Sequence, residues 1–385
     1  MIRRTHPLFH LLFAPSERRF AFAVLTLSLM ALIGYILFTF HQVGLRGWFE
    51  YVGCDFRTYY ASGQLFRDYG PRAMYDLTLH EVYQKVLYDR YAVYTEGWST
   101  PFYVLPTPYL PVFMLPFVGL SFLPPFTAFL VWEGANALIT LGYLWLWTKR
   151  LGLRGRMRLM LITVIFLGVQ NFYNLFFSQT NLILMVAVGE ALYHLMQGRE
   201  GRVGLWLVLG LIKPQAILLL ALILLLLRGW RFRAGLVGGT LIIGGASWVM
   251  LGWQGMRDYI AILSSYTPLL RIGGITWMSL VDNLVLFGLD RSLALGIGLV
   301  VVILILGVWL YTLWLGGHHS SRQMGLAEIF LLTLSAQMVV ALHGHVHQAL
   351  ALAVPWMVYL KDKDAPTPWY VFITWVVVPG LVFLL

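Results

Sequence analysis

The fold is decided by the stretch FAFAVLTLSLMALIGYILFTFHQ, residues 20–42, which contains no Asp, Glu, Lys or Arg. A bilayer core is about 30 Å thick and needs roughly 20 apolar residues in a helix, so this stretch can cross a membrane. No small-residue cleavage site follows it, which favours an uncleaved anchor over a signal peptide. Basic residues precede it at Arg3, Arg4, Arg18 and Arg19. The positive-inside rule therefore predicts a cytoplasmic N-terminus and places residue 43 outside.

The composition extends this prediction to the whole chain of 385 residues. Hydrophobic residues make up 59% of it and charged residues only 11%, with a mean hydropathy of +0.75. Soluble domains are about 25% charged, so the chain is predicted to be an all-α, polytopic membrane helical bundle with about nine to thirteen membrane helices. Further apolar runs lie at 104–121, 126–148, 159–177, 180–197, 203–228, 233–253, 291–315, 325–342, 348–360 and 367–385. With no polar linker or repeat, residues 1–385 are predicted to form one membrane-embedded domain.

Two polar stretches, residues 43–103 and 254–290, are predicted to be external loops, and the helical spacing within 73–92 predicts a surface helix. The prolines of 104–121 leave the topology of 104–158 open. If that run crosses, the five cations of 149–158 lie outside, and if it only dips in, they lie inside.

The net charge of +10 comes from Lys and Arg in short loops between apolar runs. This distribution is typical of orientation signals and of contacts with anionic lipid headgroups, and it argues against nucleic-acid binding. Cys54 is the only cysteine, so no internal disulfide can form. The sequence has no P-loop, dinucleotide-binding glycines or paired metal-ligand cysteines, so we predict neither cofactor nor metal.

The segment GCDFRTYYASG, residues 53–63, places an acid just past the first apolar run. Asp55 could act as a general base on a hydroxyl, hold a cation, cap a helix or pair with Arg57. Downstream, PFYVLPTPYLP, residues 101–111, carries four prolines, which predict either a rigid cavity wall or a broken helix end.

The segment QNFYNLFFSQTN, residues 170–181, interrupts an apolar run with amides. Buried amides need partners, either neighbouring helices or a hydroxyl-rich ligand. Lys213 stands alone in GLIKPQAI, residues 210–217, and Lys213-Pro214 is predicted to split the apolar run 203–228 into two short arms. A lysine among apolar residues marks a functional site and would be compensated by an anion such as a lipid phosphate. The alternative is a side chain that extends to the interface.

The segment ALHGHVHQA, residues 341–349, contains alternating His343, His345 and His347. This spacing is poor for zinc and favours a polar cluster that hydrogen-bonds a substrate. Three further acids, Glu133, Glu190 and Glu328, lie in or beside apolar runs. They could form a proton relay, pair with Arg or cap helices, so a transporter or flippase of lipid-linked sugars stays an alternative function.

Taken in order, these segments resemble glycosyltransferase family 87, the polyprenol-phosphate-sugar-dependent mannosyltransferases with the GT-C fold. The resemblance rests on DFRTYYASG after the first run, TPYLP, SQTN at 178–181 and GLWLVLGLIKP ending in Lys213-Pro214. SQTN is similar to the family's Gly-Gln-Val-Asn segment, with Ser178 in place of glycine.

The resemblance implies an inverting hexosyltransferase of the cell membrane, with its active site on the external face. Its donor would be a polyprenyl-phosphate sugar, with mannose expected, and its acceptor a glycolipid or glycan hydroxyl. Asp55 would be the general base, and Lys213 and Arg57 would bind the donor phosphate. The predicted substrate-binding residues are Tyr59, Tyr60, Gln179, Asn181, Gln215, Trp277, His343, His345 and His347. Of these, the aromatic rings of Tyr59, Tyr60 and Trp277 could stack on the C–H faces of a sugar.

Overall fold

The computed structural model describes residues 26–41, 52–91, 104–265, 276–318, 325–341, 344–362 and 375. These residues are helical nearly throughout and include no β-strand, which confirms the all-α prediction. The chain divides into two compact units. The first unit comprises Met1–Phe38, Leu138–Phe172 and Ile272–Leu385, and the second comprises Thr39–Ala137 and Tyr173–Arg271.

The elements follow one another in simple succession. The α-helices are α1 (Thr26–His41), α2 (Cys54–Tyr69), α3 (Leu77–Tyr91), α4 (Pro111–Leu120), α5 (Pro125–Arg150), α6 (Gly155–Leu167), α7 (Val169–Phe176), α8 (Asn181–Met196), α9 (Glu200–Leu207), α10 (Leu218–Leu227), α11 (Trp230–Ser265), α12 (Trp277–Leu286), α13 (Arg291–His318), α14 (Leu326–Val340) and α15 (Ala353–Asp362). The 3₁₀ helices are Pro71–Tyr75, Val208–Ile212, Pro214–Ala216 and Val346–Leu352.

Three of the described helices, α5, α11 and α13, are long and apolar enough to cross a membrane by themselves. Helices α6 and α7 pass the same test as a pair bent by 50°, and six other apolar helices, including α1, have 10–17 residues each. An α-helix rises about 1.5 Å per residue, so such short helices fall short of a bilayer core of about 30 Å. The total of nine to thirteen spans and the GT-C arrangement stay predictions.

The proline-rich entry to α4 has the irregular backbone that its sequence predicts. Residues 104–110 are not helical, and α4 then runs for ten residues from Pro111, which suits the first turn because it lacks an N–H. At ten residues α4 is too short to span a bilayer core by itself, and the topology of 104–158 stays a prediction. The predicted loop 254–290, in contrast, is helical over much of its length, in the end of α11 and in α12.

Close helix contacts in the second unit depend on glycine. A Cβ on Gly63 of α2 would overlap the backbone carbonyl of Phe117 in α4, and one on Gly204 of α9 would overlap the backbone of α11. These two positions therefore let α2 pack on α4 and α9 pack on α11 at backbone distance.

In the first unit, α12 packs on α13 and α13 packs on α14. The indole Nε1 of Trp309 in α13 donates to Thr333 Oγ1 in α14 at 3.1 Å. Glu328, one of the three acids that suggested a proton relay, caps α14 instead, because its Oε2 accepts the Gly325 N–H at 2.9 Å. This contact fits the helix-capping alternative for that residue.

The break predicted at Lys213-Pro214 is present in the second unit. The apolar run 203–228 divides into α9, two 3₁₀ helices on either side of Lys213, and α10. Lys213 itself has φ −142° and ψ 74°, which is outside the helical region. This is expected, because a residue before proline disfavours helical φ and ψ. The irregular backbone presents the lysine at the junction of two short arms.

Candidate active site around Asp55

The backbone before α2 places Asp55 in the first turn of that helix. Gly53 adopts φ 68°, and its N–H donates to the carbonyl of Phe176 at 2.8 Å, which ties the start of α2 to the end of α7. A Cβ on Gly53 would lie 2.6 Å from a ring carbon of Phe129 in α5, so glycine is required there for space as well as for conformation. The Asp55 carboxylate thus meets the partial positive charge of a helix N-terminus.

The turn between α7 and α8 is held by side chains of α5. The indole Nε1 of Trp132 donates to the carbonyl of Ser178 at 3.1 Å, and Asn136 Nδ2 donates to the carbonyl of Gln179 at 2.8 Å. The Gln179 N–H donates in turn to the carbonyl of Asn174 at 2.7 Å. Because the carbonyls of Ser178 and Gln179 and the Gln179 N–H are all hydrogen-bonded, the Gln179 backbone has a defined position. From there its side chain extends to Asp55 in α2.

Ser178 has φ 58°, the left-handed region that glycine tolerates and other residues rarely adopt. This is the position at which the resembled segment Gly-Gln-Val-Asn has glycine. The turn therefore keeps a glycine-type conformation with serine in place, at a cost of about 1–2 kcal/mol.

Four polar side chains, Asp55, Gln179, Lys213 and Asn181, form one connected cluster that we call the Asp55–Lys213 network. Gln179 Nε2 donates to Asp55 Oδ2, and Lys213 Nζ donates to Gln179 Oε1 at 2.5 Å and to Asn181 Oδ1 at 3.0 Å. The predicted base and the predicted phosphate ligand are thus joined through a neutral amide.

Two asparagines outside the network support it. Asn174 Oδ1 accepts from both the backbone N–H and the side-chain Nδ2 of Asn181, at 3.3 and 3.2 Å. Asn174 Nδ2 lies 3.5 Å from Asn136 Oδ1. All three asparagines are buried, so the amides of this part of the chain bind one another as the helix-contact interpretation predicted.

Lys213 does not extend to a surface. Only 5% of the residue is exposed, and its ammonium group donates to amide oxygens. The ion pairs found among the described residues, Arg67–Asp68 and Arg72–Asp258, do not include it. Among the described residues the Lys213 ammonium is therefore bound by neutral amide oxygens and not by a carboxylate.

Asp55 is half-buried as a residue, and the protein around its carboxyl disfavours the ionised form. Burial raises the pKa of Asp55 to about 6, and the Lys213 ammonium, the Gln179 hydrogen bond and the Arg57 guanidinium oppose that rise. A carboxylate with this pKa is ionised at neutral pH and basic enough to accept a proton from a hydroxyl in a transition state.

Tyr59 and Tyr60, the residues predicted to stack on sugar, are buried in this ligand-free structure. The Tyr59 hydroxyl lies 3.1 Å from that of Tyr109 and 3.4 Å from Gln179 Oε1, and the Tyr60 hydroxyl donates to the Leu123 carbonyl at 2.7 Å. Tyr59 therefore belongs to the wall of the Asp55–Lys213 network. A stacking role for either ring stays a prediction.

Two other predicted ligands of the second unit, Arg57 and Gln215, are half-buried. Arg57 is half-buried, with its guanidinium carbon 5.3 Å from the ring centroid of Tyr88. Gln215 is half-buried in the 3₁₀ helix directly after Lys213. Neither their predicted roles nor those of Gln179 and Asn181 toward a substrate are tested by these contacts.

The remaining predicted ligands belong to the first unit. His345 and His347 stack with ring centroids 5.2 Å apart, and Gly344, which precedes His345, is so close to Thr276 that a Cβ there would lie 3.2 Å from the threonine methyl. This contact brings the residue before His345 close to Thr276, the N-cap of α12, which begins at Trp277. His343 lies outside the described residues. Their substrate roles stay predictions, and no group of three potential metal ligands occurs in the described part of the chain.

Sequence reasoning missed Trp132, Asn136 and Tyr109 as parts of the site. Asn136 is one polar residue in an apolar helix, three residues after Glu133. The available signal was their spacing, because residues 129, 132, 133 and 136 share one face of α5.

Comparison with known protein families gives one match. The model of glycosyltransferase family 87 matches residues 107–342, more than half of the chain. The match includes TPYLP, Gln179, Asn181 and Lys213, and it begins after Asp55. We found no significant match among curated proteins or solved structures. The chain therefore belongs to glycosyltransferase family 87, and this membership makes it a glycosyltransferase with membrane helices.

Proposed function

We propose that the protein transfers a hexose, with mannose as the expected sugar, from a polyprenyl phosphate to a hydroxyl of a glycolipid or glycan. The observation that carries the proposal is the Asp55–Lys213 network, in which one buried amide links a half-buried carboxylate and a buried ammonium. Family membership supplies the reaction class. The carboxylate suits the acceptor hydroxyl, which must lose a proton, and the ammonium suits the phosphate, which must leave.

Asp55 is the proposed general base. Among the described residues only Gln179 hydrogen-bonds its carboxylate, and it does so at Oδ2, so Oδ1 can accept the hydroxyl of the acceptor. As the acceptor oxygen bonds to the anomeric carbon, its proton passes to Asp55. The bond from that carbon to the phosphate oxygen breaks at the same time, and the configuration inverts.

Lys213 is the proposed ligand of the leaving phosphate. The electron pair of the broken bond stays on the phosphate oxygen, so negative charge develops there as polyprenyl phosphate leaves. A nearby ammonium in a water-poor site stabilises such charge strongly. Lys213 has amide oxygens as partners, and a phosphate oxygen can replace either of them.

The test is turnover by the purified protein in detergent. Polyprenyl-phosphate sugars and a panel of lipid and glycan acceptors are incubated with the enzyme, and products are identified by mass spectrometry. We expect a new glycosidic bond and release of polyprenyl phosphate in equal amounts. A transporter or flippase would form no such bond, so the absence of product with every donor would contradict the proposal.

The external position of the site can be tested by thiol labelling. Cys54 is buried, so it is replaced by serine and a cysteine is introduced at exposed Glu81 in α3. The control carries Arg199→Cys, an exposed position in the basic segment Arg199–Arg202, which the positive-inside rule places in the cytoplasm. In intact cells, an impermeant maleimide should label the cysteine at position 81 and spare the one at position 199. The reverse pattern would place the site inside.

A further inference from the structure

Gln179 occupies an unusual position, because its two amide ends face opposite charges. Its Nε2 donates to Asp55, while its Oε1 accepts from Lys213 at 2.5 Å and lies 3.4 Å from the Tyr59 hydroxyl. The ammonium can only donate hydrogen bonds and the carboxylate can only accept them, so the chemistry of the partners fixes the orientation of the amide. The side chain cannot flip without placing like groups together.

The backbone of Gln179 is equally constrained. Its N–H and carbonyl bind Asn174 and Asn136, and the residue is only 7% exposed. The amide is therefore held between the two charges from both ends, as a spacer would have to be. A residue whose main task was to meet a substrate hydroxyl would not need both ends of its amide engaged beforehand.

The groups around the Asp55 carboxyl show what would change if Gln179 did not separate it from Lys213. Lys213 is supplied by the break before Pro214. Arg57, Tyr59 and Cys54 are supplied by α2, the helix that carries Asp55, and Tyr109 lies behind Tyr59. Glu133 of α5 faces Ser178 instead. Lys213 is the strongest of the cations that act on the carboxylate. A direct contact between the two would lower the pKa of Asp55, typically by 1–3 units, and would occupy the ammonium.

We propose that Gln179 is a positioning residue that prevents a direct ion pair between Asp55 and Lys213, so that the carboxylate stays basic and the ammonium stays available to a phosphate. This role rests on the proposed function, because it acts through the base and the phosphate ligand assigned above. It differs from the substrate contact predicted for Gln179 from the sequence.

Two substitutions displace the pH dependence in opposite directions. In Gln179→Met the spacer is apolar and cannot bind either charge, so Asp55 and Lys213 close into a direct pair. The acid limb of the kcat/KM profile then moves to lower pH by about one unit or more, and the plateau falls because the base is weaker. In Gln179→Glu a second carboxylate faces Asp55 and pairs with Lys213. The acid limb moves to higher pH by about one unit or more, and the donor KM rises.

The control is Gln197→Glu, the same chemical change at an exposed residue that follows α8. Its profile should coincide with that of the wild type. The pH profiles are measured with the purified enzyme, one polyprenyl-phosphate sugar and one acceptor, after thermal melting in detergent has shown each variant to be folded.

The proposal is supported if the acid limb moves to lower pH in Gln179→Met and to higher pH in Gln179→Glu. If only one variant folds, the shift expected for that variant is sufficient. Lower activity with unmoved limbs would overturn it, as would a shift of Gln179→Met to higher pH. If neither variant folds, Gln179 is a structural residue and the proposal is wrong. A wild-type enzyme without turnover contradicts the proposed function itself, so the two failures are distinguishable.

Discussion

The charged side chains at the two ends of α2 are arranged in opposite ways. At the C-terminal end, Arg67 Nε contacts Asp68 Oδ1 directly at 2.8 Å, with about 30% of each side chain exposed. At the N-terminal end, Asp55 and Lys213 are separated by the amide of Gln179, and Lys213 is buried. The same kinds of charge are thus neutralised at the surface and kept apart in the interior.

The difference bears on function, because the two arrangements have different energetic costs. An exposed ion pair contributes about 0–1 kcal/mol and is easily replaced. Buried charges without direct pairing are costly to keep, and such costs are typical of active sites. The buried end of α2 is therefore the end at which substitutions should affect chemistry, and the exposed end supplies matched controls.

The largest expected effect is that of Asp55→Asn, which keeps the shape of the side chain and removes its basicity. Loss of a proton-transfer group typically lowers the rate by about 10²–10⁴-fold. Steady-state kinetics with the purified protein measures kcat. The control, Asp68→Asn, makes the same change at the exposed end of the helix and should leave kcat within about twofold of the wild type. Equal losses in the two variants would remove the distinction between the two ends.

Lys213→Met should have the next largest effect, on donor affinity. A hydrogen bond to a charged group contributes about 1.5–3 kcal/mol, so donor binding should weaken by about 10- to 100-fold. The acceptor KM should change little. Arg72→Met, which removes the exposed cation paired with Asp258 at 2.7 Å, is the control and should bind donor normally. An acceptor KM that rises as much as the donor KM would argue against a phosphate role for Lys213.

The pH dependence of kcat/KM should reflect the ionisation of Asp55, at the buried end of α2, and not that of Asp68 at the exposed end. The general base must be ionised, and the pKa of Asp55 is about 6, so kcat/KM should rise about tenfold per unit up to pH 6 and level off above it. The Asp68 carboxyl, whose pKa the Arg67 guanidinium holds below its usual value, should leave no mark on the profile. The same acid limb in Asp55→Asn would show that another group sets it.

Ser178→Gly should have the smallest effect, and on stability. The exposed end of α2 is followed by Gly70 at φ 91°, whereas the turn beside the buried end has serine at φ 58°. Glycine at position 178 removes the left-handed strain but adds freedom to the unfolded chain, so the net gain should be at most about 1 kcal/mol. Thermal melting should rise by about 1–2 °C. An equal rise in Ser178→Ala would show that the hydroxyl, rather than the backbone, is the cause.

Much of the site could be predicted from sequence because its parts stand out chemically. Lys213 is alone among apolar residues, and Gln179 and Asn181 interrupt an apolar run. What the sequence could not show is that Gln179 lies between Asp55 and Lys213, residues 124 positions before it and 34 after it. Contacts at such separation depend on how α2, the 178–181 turn and the break before Pro214 pack.

The fold was predictable to a similar extent. Helices follow from the apolar runs, and Pro214 predicts the break beside Lys213, because proline disrupts a helix locally. The extension of α11 into the predicted loop 254–290 was not foreseen. Gly252, with φ 62° and ψ −175°, has a non-helical backbone and makes a kink in α11 where the apolar run ends, and a second helical segment then runs on to Ser265.

Single-turnover kinetics combined with donor binding tests most directly whether Asp55 performs chemistry while Lys213 holds the donor. Binding of a polyprenyl-phosphate sugar is measured first, and the rate of transfer to acceptor is then followed on the same samples. The account predicts that Asp55→Asn binds donor as the wild type does but transfers it about 10²–10⁴-fold more slowly. It predicts weakened binding for Lys213→Met. Transfer by Asp55→Asn at the wild-type rate would contradict it.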